Sequence, residues 1–253
     1  MNHLDHQVDD AIVDVQNAHA TSSVVFVCEH ASAYIPPDLQ DLGLPKDALD
    51  SHVVWDPGAL GVAKRLSETF EAALIAAKTS RLVYDCNRPP HAPDAMPARS
   101  EVVDVPGNRN LTEEQKAARA EKYYEPFRKE VAERLAAREA PILVTVHSFT
   151  PVFHGRHRDV AIGILHDEDA RLADAMLAAS TSATLTVRRN EPYGPTDGVT
   201  HTLKEHALPH NHLNVMLEVR NDLIATEADQ IAMADTLAGW LQTALATTKA
   251  NAC

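Results

Sequence analysis

The chain has 253 residues, 45% of them hydrophobic and 23% charged, and a formal charge of −13, a composition that suits one globular α/β domain better than two small ones. So negative a chain argues against sequence-independent nucleic-acid binding, which leans on Lys and Arg, although local arginines leave small anionic substrates open. No apolar run approaches the roughly 20 residues of a membrane-spanning helix, so a membrane partner has no support either.

Residues 1–22 read as a loosely held tail or a short leading helix. The segment through Ala20 contains no Lys or Arg and lacks the n-region and h-region of a secretory signal, so a cytoplasmic location is expected. Val24–Cys28 is a first strand, apolar throughout and therefore central in its sheet. A loop with Ile35-Pro36-Pro37 follows. Pro57-Gly58 opens an amphipathic helix with Leu60, Ala63, Leu66 and Phe70 on one face. Residues 81–85 read as a second strand. Pro89, Pro90, Pro93 and Pro97 make residues 89–106 an ordered loop or lid. Thr112-Glu113-Glu114-Gln115 has the form of a capping box and starts a helix to about Arg138, with Tyr124, Phe127, Val131 and Leu135 as its stripe.

Residues 142–146 and 160–165 are strands, 168–179 a helix, 184–187 a short strand and 214–219 the last clear strand. Thr226 caps a closing helix expected to bury Ile231, Leu237, Leu241 and Leu245. This alternation predicts a single α/β domain over residues 23–250, with a mostly parallel or mixed sheet and helices on both faces. The cysteines are Cys28, Cys86 and Cys253. Their spacing matches no zinc ribbon and no CxxC exists; Cys28 and Cys86 lie in or beside apolar runs and read as reduced and buried.

The chemistry gathers where apolar runs end. Leu143-Val144-Thr145-Val146-His147 closes on a histidine, Val24-Val25-Phe26-Val27-Cys28-Glu29 leads into His30, and Glu218 interrupts Val215-Met216-Leu217-Glu218-Val219. In an open α/β sheet, ligands bind beyond the carboxyl ends of the strands. Two histidines and a carboxylate delivered there meet the needs of a catalytic zinc, which takes three protein ligands and keeps a position for water.

Asp56, in Trp55-Asp56-Pro57-Gly58, is the candidate third ligand; its other reading is an ordinary helix N-cap. His147 alone is equally a hydrogen-bonded core histidine. Glu29 is an alternative ligand, but it points to the face opposite a neighbouring strand residue and reads better as a partner of a ligand. Glu218 is either an ion-pair partner of Arg220 or a general base. Asn87-Arg88 follows a strand-like segment, and Arg88 either grips an acidic substrate through its fork or forms a surface salt bridge. The histidines of 201–212 read as loop residues, one of them lining a pocket. His154 and His157, beside Arg156 and Arg158, suggest a mobile basic loop near the mouth. HExxH, GxSxG, Walker A and GxGxxG motifs are absent.

Five segments, in this order, resemble the N-formylglutamate amidohydrolase family: Cys28-Glu29-His30-Ala31-Ser32, Trp55-Asp56-Pro57-Gly58-Ala59, Asp85-Cys86-Asn87-Arg88-Pro89, Thr145-Val146-His147-Ser148-Phe149 and Leu217-Glu218-Val219-Arg220-Asn221-Asp222. The resemblance runs from Val24 to Leu245. It implies a fold similar to zinc carboxypeptidases and zinc-dependent amidases. It also implies one divalent ion, zinc, on His30, Asp56 and His147, with Glu218 as the catalytic carboxylate and Asn87 and Arg88 on the substrate α-carboxylate. Arg220 is the candidate for stabilising the oxyanion or for holding a second carboxylate. The implied partner is a small acidic N-acyl amino acid, and the implied reaction turns N-formyl-L-glutamate and water into formate and L-glutamate, late in histidine breakdown. One departure stands out: the HxxE pair of the carboxypeptidases is missing, since Ala33 stands three residues after His30. Two rivals share the pattern, a hydrolase of another N-acyl amino acid and a small-acid-binding relative without turnover.

Overall fold

The computed structural model describes residues 12–251; residues 1–11 of the expected tail, and Cys253, lie outside them. Seven strands form one sheet: β1 Val13–Gln16, β2 Val24–Cys28, β3 Ala73–Ala77, β4 Ile142–Phe149, β5 Ile162–Leu165, β6 Val187–Arg189 and β7 Leu213–Arg220. Their spatial order is β1-β3-β2-β4-β7-β5-β6. The central four, β3, β2, β4 and β7, run parallel. β1 pairs antiparallel with β3, β5 antiparallel with β7, and β6 parallel with β5. The sheet is therefore mixed, and helices cover both faces.

The helices are α1 Ala59–Thr69, α2 Glu113–Arg119, α3 Glu125–Ala136, α4 Arg171–Ala179, α5 His201–His206 and α6 Glu227–Asn251. On one face, α1, α4 and α6 set Leu66, Leu172, Met176, Leu237 and Leu241 against Phe26, Val144, Val146, Leu217 and Val219. Burying each such aliphatic side chain contributes about 1.5–3 kcal/mol. On the other face, Phe127, Val131 and Leu203 pack with Tyr84 and Tyr124 on Val25, Val27, Leu143 and Met216. Adjacent strand residues alternate between these two cores, as the pleat requires. No described helix is long and apolar enough to cross a membrane.

Several boundaries differ from the sequence reading. Residues 81–85 are a turn, and the strand lies earlier, at Ala73–Ala77. Leu82, Val83 and Tyr84 are buried as a strand would be. Ser80, however, folds the segment back: its carbonyl accepts from Val83 N–H at 2.9 Å, its hydroxyl donates to the Val54 carbonyl at 2.7 Å, and its N–H donates to Tyr34 O at 2.8 Å. The expected tail contributes β1 to the sheet edge. The Thr112 capping box forms, but the helix widens into a π turn at Ala120–Tyr124 before α3. Pro126, in the first turn of α3, has no N–H and crowds the preceding turn, and the wider π turn accommodates it. Residues 201–206 are helical rather than loop. In α6, Leu237 and Leu241 are buried but Ile231 is 41% exposed. Its neighbour Gln230 takes the inward position against Gly61 of α1.

Candidate metal centre

Two strand ends and one loop build the centre. His147 sits near the carboxyl end of β4 and directly opposite Glu218 of β7 in the parallel register. His30 follows β2, and its carbonyl accepts the N–H of Asp56 at 3.0 Å, which ties the 52–58 loop to the strand end. Gly58 lets this loop close: its φ is +82°, and a Cβ there would lie 2.5 Å from the Ile224 carbonyl oxygen. The helix that follows takes no cap from Asp56, since its N-cap is Gly58 and no side chain bonds to it. The N-cap reading of Asp56 is thereby displaced.

Three ligand-type atoms converge. His30 Nδ1 is 3.2 Å from Asp56 Oδ2, His147 Nδ1 is 3.0 Å from the same oxygen, and the two Nδ1 atoms are 3.2 Å apart. Tetrahedral zinc with bonds of about 2.0–2.1 Å separates neighbouring ligand atoms by roughly 3.3 Å. A carboxylate stands behind each far ring nitrogen: His30 Nε2 is hydrogen-bonded to Asp85 Oδ1 at 2.7 Å, and His147 Nε2 lies 3.0 Å from Glu29 Oε2 as an ion-pair contact without hydrogen-bond alignment. A carboxylate behind each ring favours the tautomer protonated at Nε2 and turns the Nδ1 lone pair inward. Two lone pairs and a carboxylate oxygen facing one another repel unless a proton or a cation lies among them. The donor set and its spacing fit a single divalent ion.

The electrostatics agree. All of His30, Asp56, Asp85, Glu29, His147 and Glu218 are buried. Burial opposes charge on His147, but Glu29 and Asp56 outweigh it and hold its pKa well above the usual value. Burial likewise works against charge on Asp56 and Asp85. The histidines outweigh it at Asp56, and His30 with Arg81 does so at Asp85, so both carboxyls fall below their ordinary range. Glu218 moves the opposite way. Burial, followed by the charge of Asp56, overcomes the attraction of His147 and pushes its pKa up to about 7. Its Oε2 is buried without a hydrogen-bond partner.

The expected partner of Glu218, Arg220, is elsewhere. Its Nε donates to Asp222 Oδ1 at 2.7 Å and its Nη1 to the Arg158 carbonyl at 3.0 Å, and it is not among the residues lining the cavity. Asp222, two residues on, captures the guanidinium at the strand end. Neither the ion-pair reading of Glu218 nor a placement of Arg220 in the cavity therefore matches the structure.

That cavity, about 340 Å³, opens over the His–Asp–His cluster. Arg88 lines it, with Nε 2.5 Å from Asp94 Oδ2 and Nη1 donating to the Asn87 carbonyl at 2.9 Å. The Asn87 amide donates to Val199 O at 2.6 Å and accepts from Thr202 N–H at 3.0 Å, so it braces the start of α5. Two residues were missed in the sequence, Arg81 and Asp85. Arg81 donates to Asp85 Oδ2 at 2.9 Å and reaches Asp56 Oδ1 at 3.4 Å, so one cation orients both Asp56 and the carboxylate behind His30. The signal for Asp85 was present: a carboxylate in an apolar run is costly unless engaged, the same argument that singled out Glu218. His154 and His157 fall in or beside a two-residue ribbon pair, Val152–Phe153 with Arg156–His157. It meets the ribbon Arg99–Ser100 with Val103–Asp104 through Glu101, whose Oε1 accepts the His154 N–H at 3.1 Å.

Comparison with known proteins gives a consistent result. The family model described as N-formylglutamate amidohydrolase matches residues 22–225. A gene product of Agrobacterium tumefaciens with a solved structure is 56% identical, with a TM-score of 0.92 over 95% of this chain and 97% of its own. An N-formylglutamate amidohydrolase from Ralstonia eutropha JMP134 is 17% identical and shares the fold, with a TM-score of 0.64 over 95% of this chain and 99% of that one. No curated protein matches the chain.

Proposed function

The chain belongs to the N-formylglutamate amidohydrolase family, and from that premise we propose that it is a metal-dependent hydrolase of the amide bond in N-acyl amino acids, with residues 23–250 as its catalytic domain. One observation carries the reading: His30 Nδ1, His147 Nδ1 and Asp56 Oδ2 converge within 3.2 Å of one another, on the cavity that Glu218 also lines.

His30, Asp56 and His147 would hold one zinc. Zinc bound there supplies a Lewis acid for the acyl oxygen and a water acidified to a pKa of about 7. The protein groups do the rest. Glu218, with a pKa near 7, is matched to taking a proton from water and returning it to the leaving nitrogen, and such acid–base work typically contributes about 10²–10⁴-fold. Glu29 and Asp85 hold the imidazoles in place, and Arg81 braces Asp85 and Asp56. Arg88, on the cavity wall, is the anchor for a substrate carboxylate, while Asn87 holds the wall behind it.

Within this class, the family's named substrate is N-formyl-L-glutamate, and its products, formate and L-glutamate, would place the reaction late in histidine breakdown. The test is formate release from N-formyl amino acids by zinc-loaded protein beside a chelated sample. Metal-dependent formate supports the reading. No release from any of them by protein holding one zinc per chain would overturn it for formyl substrates.

A further inference from the structure

Arg158, at the end of the basic segment 154–158, is packed into the cavity wall. Its guanidinium carbon lies 4.3 Å from the centre of the Phe153 ring, 4.7 Å from that of Tyr193 and 5.6 Å from that of Phe149, all within reach of cation–π attraction. Those three rings line the cavity. The neighbouring ribbon puts Arg158 there: its N–H donates to the Pro151 carbonyl at 2.9 Å and closes the base of the Val152–Phe153 and Arg156–His157 pair. From the other side Arg220 Nη1 donates to the Arg158 carbonyl at 3.0 Å. Arg220, which does not line the cavity, thus fixes the backbone of a cation that stands at its wall.

Arg158 differs from the other arginines near the mouth. Arg81 is held by Asp85 and Asp56, and Arg88 by Asp94. Arg99 has Asp104 at 3.8 Å, but its side chain is 62% exposed, so water competes with whatever it binds. Arg158 is half-buried, and among the described residues no carboxylate pairs with it. Its side chain has two polar contacts: the Tyr193 hydroxyl accepts from Nη2 at 2.9 Å, and the Thr150 carbonyl lies 3.4 Å from Nη1. Both partners line the cavity, so the Nη side of the fork lies at the wall. A guanidinium carries five N–H groups, and most of these are uncommitted. Rings on its faces restrain the plane and leave the edge for in-plane hydrogen bonds.

The surroundings suit an incoming anion. Glu101, the acid of the rim, is engaged elsewhere, with Oε2 2.8 Å from His52 Nε2 and Oε1 accepting the His154 N–H at 3.1 Å. Tyr193 adds a donor: burial and then the charge of Glu218 raise its pKa, so its hydroxyl, while accepting from Arg158, keeps a proton to give at neutral pH. A carboxylate at this wall meets charge-assisted N–H donors and a phenol O–H together.

We propose that Arg158, held in the cradle of Phe149, Phe153 and Tyr193, binds the second carboxylate of the substrate and so sets a preference for an acidic over a neutral side chain. Arg88 takes the first carboxylate. This role rests on the amidohydrolase reading of the same cavity, but binding reports it without turnover.

The test is calorimetric binding of N-formyl-L-glutamate and N-formyl-L-glutamine to zinc-loaded Glu218→Gln protein, with and without Arg158→Gln. With Arg158 in place the glutamate derivative is expected to bind the more tightly. Arg158→Gln should weaken it about 10–100-fold, as loss of a hydrogen bond to a charged group does, and leave the glutamine derivative little changed. Arg158→Lys keeps the charge without the fork and should restore part of the loss. Added salt should narrow the preference in protein that retains Arg158. Zinc content and melting temperature report whether the variants fold; if they do not, the salt arm decides, and a preference that salt leaves unmoved overturns the proposal. Equal weakening of both compounds, a preference that survives Arg158→Gln, no preference from the start, or binding of neither compound also overturns it. Formate release by protein that retains Glu218 is followed in parallel. If neither compound is cleaved while the Arg158-dependent preference is seen, the hydrolase reading fails for them and the anchor stands. If both are cleaved with a kcat/KM ratio that Arg158→Gln leaves unmoved, hydrolysis stands and the anchor falls.

Discussion

The two faces of the sheet are built from the same strands and do opposite work. Along β2, β4 and β7, one set of alternating residues is Phe26, Cys28, Val144, Val146, Leu217 and Val219, closed over by α1, α4 and α6. The other set holds Val25, Val27, Leu143 and Met216 together with the buried Thr145 and Asn214, and carries Glu29 just past β2 and His147 and Glu218 two residues before the ends of β4 and β7. The difference gathers toward the carboxyl ends of the strands. A period of two therefore lets one chain carry a dry core and a charged centre side by side, the first supplying stability and the second spending some of it on buried charge.

Four measurements would sharpen or break that contrast. The largest effect is expected on the charged face. Glu218→Gln should keep bound zinc and lower kcat by about 10²–10⁴-fold; turnover near the parent rate would remove Glu218 from the chemistry. On the dry face, Leu237→Ala should cost about 2–5 kcal/mol in denaturant unfolding and leave zinc affinity as it was. A large loss of metal affinity in that variant would show the faces to be coupled. Next, Glu29→Gln keeps the shape behind His147 but not the charge, and zinc affinity should fall about 10–100-fold, read by competition with a chelating dye.

The smallest effect is a pH dependence of the metal-free protein. The Glu218 carboxyl titrates in the folded state at about 7, up from 4.5, so the unfolded chain releases its proton first. Stability is therefore undiminished below pH 4.5, falls as pH rises through the window to about 7, and stays reduced above it. Glu218→Gln should lack this contribution and be the more stable protein at pH 8, by on the order of 1–2 kcal/mol. Parallel pH profiles of melting temperature for the two proteins would contradict the burial argument.

Much of this was readable in the chain. His30, His147 and Glu218 stand out because a polar residue in or just after an apolar strand has to be engaged by something, and Asp56 because two such histidines call for a carboxylate at another loop or helix entry. The helix stripe of Phe127, Val131 and Leu135 and the Thr112 cap followed from period and chemistry. Part of what escaped depended on partners remote in sequence, and part on which nearby acid a side chain turned to. Residues 81–85 carry a strand's composition, and only the long-range contacts of Ser80 with Val54 and Tyr34 make them a turn. Arg220 was placed on the correct strand, but its nearest acid, Asp222, decided where its guanidinium went. Arg81 stands four residues before its partner Asp85, but its reach to a second carboxylate exists because the 52–58 loop brings Asp56 within 3.4 Å.

The short strand Val13–Gln16 lies antiparallel along the outer side of β3, whereas the family match begins at residue 22. A chain that began at residue 22 and kept everything after it would retain every residue of the candidate metal centre, yet leave the backbone N–H and C=O groups of Ala73–Ala77 facing water. An unpaired edge with so little charge on it is a template for another chain, so the shortened chain would be prone to self-association. The first strand thus acts as a guard against aggregation.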